Sequence, residues 1–251
     1  MFQRMVSGAV FAGCAAGLIA ALLHFWFVQG LILTGEEFES GARVHFAAPA
    51  EGHSHDHGAT AADAAPADGA EAGHDHASHE HGLVDGGFDA KRDLLTVAFT
   101  VLIYVAYAFI LVAGFGAAAA AGLRIGPVQG LLWGIGGYAA FQLAPAMGLP
   151  PELPGSVAAD LGARQVWWWA TAGFTALGLL GLGYGRKVWV FVLAGAALAL
   201  PHVIGAPVLD GYYGVAPPEL AAAFTARVLG VGLVAWSVLG WVAGHFWAKA
   251  D

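Results

Sequence analysis

Six apolar runs constrain this chain more than anything else in it: Met5–Val28, Leu94–Ala120, Pro127–Met147, Val166–Gly183, Val188–Ile204 and Val228–Trp247. A helix needs about 20 residues to cross the hydrocarbon core of a bilayer, and in that medium only helices and closed barrels satisfy every backbone polar group internally. The runs are continuous and do not alternate, so they predict an all-α integral membrane protein with six transmembrane helices. At 58% hydrophobic and 11% charged residues the composition excludes a soluble domain of this size. The fifth run is short and holds Pro201, whose ring frees a carbonyl that neighbouring protein or water must satisfy. Arg4 and the stretch FAGC (11–14) loosely suggest a cleavable leader, but apolarity continues to Val28, well beyond a signal core of ~7–15 residues. The first run is therefore expected to persist as a helix.

Six spans put both termini on one side, together with Arg4, Arg124, Arg186, Lys187 and Lys249 in the tails and shortest loops. By the positive-inside bias that side is cytoplasmic, which places the chain in a bacterial inner membrane. Segment 34–93 and the loops around 148–165 and 205–227 then face outward. Three parts follow: a first helix (1–33), an extracytoplasmic acidic, His-rich loop (34–93) and a five-helix region (94–251) that joins helix 1 in one membrane domain. Gly126, Gly130 and Gly134 recur at four-residue spacing, with Gly13/Gly17 and Gly240/Gly244 as single pairs, a pattern that lets helix backbones approach closely.

The chain also repeats itself. PAMGLPPEL (145–153) ends the third run; PHVIGAP (201–207) ends the fifth, and PPEL returns at 217–220. Each outer loop closes on an arginine that opens the next run, giving Arg92, Arg164 and Arg227 equivalent positions. They act there as interface anchors or as clamps on the outer loops through Glu152, Asp160 or Glu219. His24 precedes Gly30 by six residues as Gln142 precedes Gly148, and His202 precedes Gly205 by three. These matches predict three parallel two-helix hairpins around an axis along the membrane normal. His24, Gln142 and His202 would converge at the outer end of such a repeat. Ionisable groups inside apolar runs are costly and generally serve a site, which makes the two histidines candidates for an ion path. A single site shared by both is the expected arrangement.

Residues 47–88 are Ala, Gly, Asp, Pro and His with few large apolar side chains, a composition that cannot bury enough surface to fold alone. Two clusters, HSHDH (53–57) and HDHASHEH (74–81), supply His53, His55, His57, His74, His76, His79 and His81 beside Asp56, Asp75 and Glu80. Alternate residues of an extended chain point the same way, ~6.6 Å apart. Imidazole with occasional carboxylate suits Co²⁺, Ni²⁺, Cu²⁺ and Zn²⁺ and not Mg²⁺ or Ca²⁺. These histidines are the candidate metal ligands, with a solvated, pH-titrating linker as the plain alternative. A floppy site follows the Irving–Williams order, so selectivity must come from elsewhere in the molecule.

Several classes are excluded. No phosphate-cradling Gly-Lys-Ser/Thr loop is present, no organic cofactor motif appears, and thirteen of the eighteen acids fall between Glu36 and Asp93, a balance that does not suit nucleic acid. The single Cys14 forms no internal disulfide or cysteine-based zinc site. No run carries a central carboxylate, so a cation carrier would titrate histidine, use a partner, or run downhill on a membrane potential worth ~2.3 kcal/mol per charge per 100 mV. A haem-binding oxidoreductase would need His24 and His202 as facing axial ligands.

The stretches GLIAALLHFWFVQGLILTGEEFE, LAPAMGLPPELPG, ARQVWWWATAGFTALGL and PHVIGAP resemble the cobalt transporter subunit family CbtA, over nearly the whole chain except the histidine loop. The resemblance implies cobalt as substrate, a link to cobalamin synthesis, and a small single-span partner carrying a histidine motif (CbtB-like); the large histidine loop departs from the family pattern and puts reliance on that partner in doubt. The expected function is a permease, or permease subunit, importing a divalent transition metal. In it the loop collects the ion, Glu36, Glu37 and Glu152 attract it, and His24, Gln142 and His202 receive it. A membrane metal sensor or chaperone that binds nickel, zinc or copper without transport is the competing reading. Neither is an enzyme, and oligomeric state stays open.

Overall fold

The computed structural model describes residues 2–45, 89–211 and 213–250. Those residues are helical with no strand among them; an isolated bridge, Ser156 to Gly214, joins the loops before the helices that begin at Leu161 and Pro218. The helices are α1 (Phe2–Phe27), α2 (Gln29–Glu39), α3 (Ala90–Ala120), α4 (Pro127–Tyr138), α5 (Ala144–Ala146), α6 (Leu161–Tyr184), α7 (Val188–Ile204) and α8 (Pro218–Ala250). Four of them, α1, α3, α6 and α8, are long and apolar enough to cross a membrane. The fifth apolar run is α7, at 17 residues shorter than that, and the third is divided: a π turn, Ala139–Leu143, separates α4 from α5.

Local chemistry sets the helix ends. The Asp89 carboxylate caps α3 by accepting from Lys91 N (2.9 Å) and Arg92 N (3.0 Å), and Asp160 caps α6 by accepting from Ala163 N (2.9 Å). Gly122, at φ +81°, closes α3 as Leu123 N donates to Ala118 O; only glycine takes that left-handed conformation at little cost. Pro127 opens α4, where a missing N–H does no harm. Eighteen positions on, Pro145 falls inside the same apolar run and has no N–H for the carbonyl four or five residues behind it. The run responds with the π turn, where Ala144 N reaches back to Ala139 O.

The core packs four helices. Ala9, Ala12, Ala16 and Ala20 form a buried stripe on α1, facing α3 and α8. Gly13 and Gly17 lie flat against Val105 and Val101 of α3. Gly130 and Gly134 of α4 interlock with Gly240 and Gly244 of α8: a Cβ on Gly130 would stand 2.8 Å from Gly244 Cα, and one on Gly134 2.9 Å from Gly240 Cα. The glycine triple and both pairs thus mark true close approaches. Helix α7 packs against α6 and against no other described helix. The hairpin partners expected from the repeat pack together fully only for α1 and α3, whereas α4 pairs with α8 and α6 with α7.

A smaller apolar cluster covers the end of the bundle expected to face outward. Val28, where α1 breaks into α2, is buried with Leu153 and Phe224, so α2, the 148–160 loop and the start of α8 form one cap. All five cytoplasm-expected basic residues sit at the opposite helix ends, and no acid lies there among the described residues.

Candidate transport path and outer face

Each candidate polar group has a definite place. His24 lies on the last turn of α1, half-buried, its ring 5.9 Å from Phe25 and its carbonyl accepting from Val28 N at 2.8 Å. His202 is half-buried near the end of α7, edge-on to Trp167 of α6 at 6.1 Å. Next to it, Trp167 Nε1 donates to Pro201 O at 3.1 Å and ties the proline turn of α7 to α6. Because α7 touches α6 alone, His24 and His202 sit on helices with no mutual packing. Gln142 lies in the π turn, which packs against α6 and α8 and not against α1. The three groups expected to converge lie on α1, the π turn and α7, which make no packing contact with one another, and no group of three or more His, Cys, Asp or Glu able to hold a metal occurs among the described residues. The seven loop histidines, from His53 to His81, lie outside those residues.

The outer arginines are engaged. Arg164 Nη2 meets Glu152 Oε2 at 2.9 Å, tying the start of α6 to the preceding loop. Arg227 Nη1 donates to Phe27 O at 3.0 Å, capping the C-terminus of α1 where the chain breaks. Arg92 Nε meets Asp93 Oδ1 at 3.1 Å, and Gln29 Nε2 donates to the same carboxylate at 3.3 Å, linking the start of α2 to α3. Two of the candidate acids are therefore neutralised by neighbours, Glu152 by Arg164 and Glu37 by Arg43 at 2.9 Å. Glu36 is half-exposed beside Glu37 on α2.

Polar groups not anticipated from the sequence gather round the π turn. The Tyr104 hydroxyl of α3 faces the Gln142 amide. Tyr107 of α3 lies 4.6 Å from Trp236 of α8 and 5.6 Å from Phe141, and Trp168 of α6 meets Phe141 at 5.9 Å. Gln142 Oε1 and Trp236 Nε1 are buried without a hydrogen-bond partner among the described residues. The signal that marks this layer in the sequence is Pro145, whose missing N–H forces the turn; the tyrosines read simply as apolar-run residues.

A family model for the probable cobalt transporter subunit CbtA matches residues 2–248. The chain belongs to the CbtA family. That membership, with four apolar helices of spanning length, makes it a membrane protein of a transporter-subunit family. No curated protein and no solved structure matches the chain. The CbtA match runs through α1 to α8 and so takes in every candidate residue named above.

Proposed function

We propose that this CbtA chain is a permease, or the membrane subunit of one, that imports a divalent transition metal, with Co²⁺ as substrate. The family match over residues 2–248 carries this reading. Charge asymmetry supports it: among the described residues every acid is on the outer side, whereas Arg4, Arg124, Arg186, Lys187 and Lys249 lie at the other ends. Such a field concentrates cations on the acid-rich side, and in this reading that side faces outward from an inner membrane, with both termini in the cytoplasm. In this reading α4, the π turn and α5 together make one span and α7 another, giving six spans in three repeated hairpins. The segment holding His53, His55, His57, His74, His76, His79 and His81 acts as the collector. His24, Gln142 and His202 are contacts along the route, met in succession, with Glu36, Glu37 and Glu152 at its mouth. A CbtB-like subunit or a second copy completes the assembly.

Cells expressing the chain should accumulate labelled Co²⁺ faster than cells without it. Deleting residues 50–82 should raise the concentration needed for half-maximal uptake several-fold and leave the maximal rate, because a tethered collector raises local concentration without shaping the path. A chain that binds cobalt but never increases uptake would instead be a sensor or chaperone.

A further inference from the structure

The π turn concentrates unsatisfied oxygen in a membrane-buried place. Gln142 Oε1 is fully buried with no partner among the described residues. It occupies the space a side chain on Gly232 of α8 would need: a Cβ there would overlap Oε1 and come within 2.9 Å of Cδ. Tyr104, only 6% exposed, turns its hydroxyl to the same amide. Pro145 withholds the N–H that the carbonyl of Phe141 in an α-helix, or of Ala140 in a π turn, would receive. The π turn thus holds an unpartnered amide oxygen against Gly232 of α8 and a carbonyl deprived of its N–H, with the Tyr104 phenol of α3 beside the same amide. The aromatic layer of Tyr107, Phe141 and Trp236 closes the inner side, and the Val28, Leu153 and Phe224 cap closes the outer side.

Leaving a buried acceptor unpaired costs about 1–3 kcal/mol, and interrupted helices with freed carbonyls are the usual way a membrane protein presents oxygen to a cation. All three donors are neutral. They attract a divalent ion too weakly to strip its water, and for that reason they release it.

We infer that the π turn is an intramembrane transit site for a hydrated divalent cation, with Gln142 Oε1, the freed carbonyl and the Tyr104 oxygen accepting hydrogen bonds from metal-bound water. The site rests on the permease reading and deepens it, since contact at this layer is through oxygen and water and not through imidazole. Gln142 is lodged against Gly232 at this layer.

The test is labelled Co²⁺ uptake by cells expressing the full chain, with variant abundance in the membrane measured in parallel. Gln142→Leu should lower the maximal rate roughly tenfold or more, the size of one lost hydrogen bond to a charged partner, with the half-saturating concentration unchanged. Gln142→Glu keeps the acceptors and adds charge, so both the half-saturating concentration and the maximal rate should fall. Tyr104→Phe removes a single oxygen and should slow uptake several-fold. Wild-type rates in Gln142→Leu and Tyr104→Phe would overturn the site while leaving the permease reading intact, as would a Gln142→Glu chain as inactive as Gln142→Leu. If Gln142→Leu fails to reach the membrane, Tyr104→Phe decides: an unchanged rate overturns the site. Absence of uptake by the wild type would overturn the permease reading, and the site with it.

Discussion

Replacing Gly134 by alanine should pry α4 from α8. A Cβ at 134 would overlap Trp236 O and stand 2.9 Å from Gly240 Cα and 3.1 Å from Gly240 N. Both obstacles are helix backbone, so nothing local can rotate away and the helices must part by several tenths of an ångström or more. Separation of 0.5–1 Å forfeits roughly a quarter to a half of each dispersion contact along the seam. Overpacking of this kind costs about 1–3 kcal/mol, offset in part by the helix preference of alanine over glycine, up to about 1 kcal/mol. The control is Gly195→Ala on α7, where a Cβ meets nothing within 4 Å and only the helix preference remains. Thermal unfolding of the detergent-purified full chain, followed by tryptophan fluorescence, reports directly, since Trp133 and Trp236 flank the seam. At ~2–4 °C per kcal/mol for a chain near this size, Gly134→Ala should melt several degrees below wild type and Gly195→Ala at or slightly above it. A Gly134→Ala chain that melts with the control would refute the claim that backbone contact holds the two helices.

Trp167→Phe removes the indole N–H that the Pro201 carbonyl accepts beside the Gly205 N–H, which should destabilise the α6–α7 pair by about 0.5–1.5 kcal/mol and increase proteolysis in the 185–187 loop; unchanged cleavage would count against it. Removing Arg164 and Glu152 singly and together in a double-mutant cycle should give a coupling of only about 0.2–1 kcal/mol, because the pair is partly exposed. The Asp89 carboxyl is held below its ordinary value, first by the Arg92 N–H and then by the Lys91 N–H and both side-chain charges. A depressed acid contributes stability above its unfolded value, about 4, and loses it as pH falls through the lower folded value. The advantage of wild type over Asp89→Ala should therefore be full at pH 7 and vanish on acidification below that range, as measured by melting across pH.

Much of the architecture was legible because lipid imposes its own periodicity and length. The runs became helices nearly where they were drawn, and the four-residue glycine spacing identified faces that do meet. What spacing could not say was which face meets which: Gly130 and Gly134 found Gly240 and Gly244 at the far end of the chain, and the repeat was expected to pair neighbours. The site was less legible. Motif offsets placed His24, Gln142 and His202 at comparable heights, but height along a helix does not fix the azimuth at which a side chain leaves it, and α7 turned out to lean on α6 alone. Gln142 looked like one polar residue among several until the missing N–H of Pro145 and the bare Cα of Gly232 gave it a setting. Ion pairs were better anticipated: Glu152 was one of three acids expected near the outer arginines, and Arg164 holds it.

The pairing of α4 with α8 also sets a clock. Gly134 and Gly240 are 106 positions apart, and at roughly 5–20 residues per second a ribosome needs some 5–20 seconds to make the second after the first. Throughout that interval the glycine groove of α4 lacks its α8 partner, while α6 and α7, joined by residues 185–187, can already close on each other. The bundle is therefore completed from its last helix, and a chain truncated before α8 would leave the membrane with a long-lived, sticky intermediate that quality-control proteases are well placed to recognise.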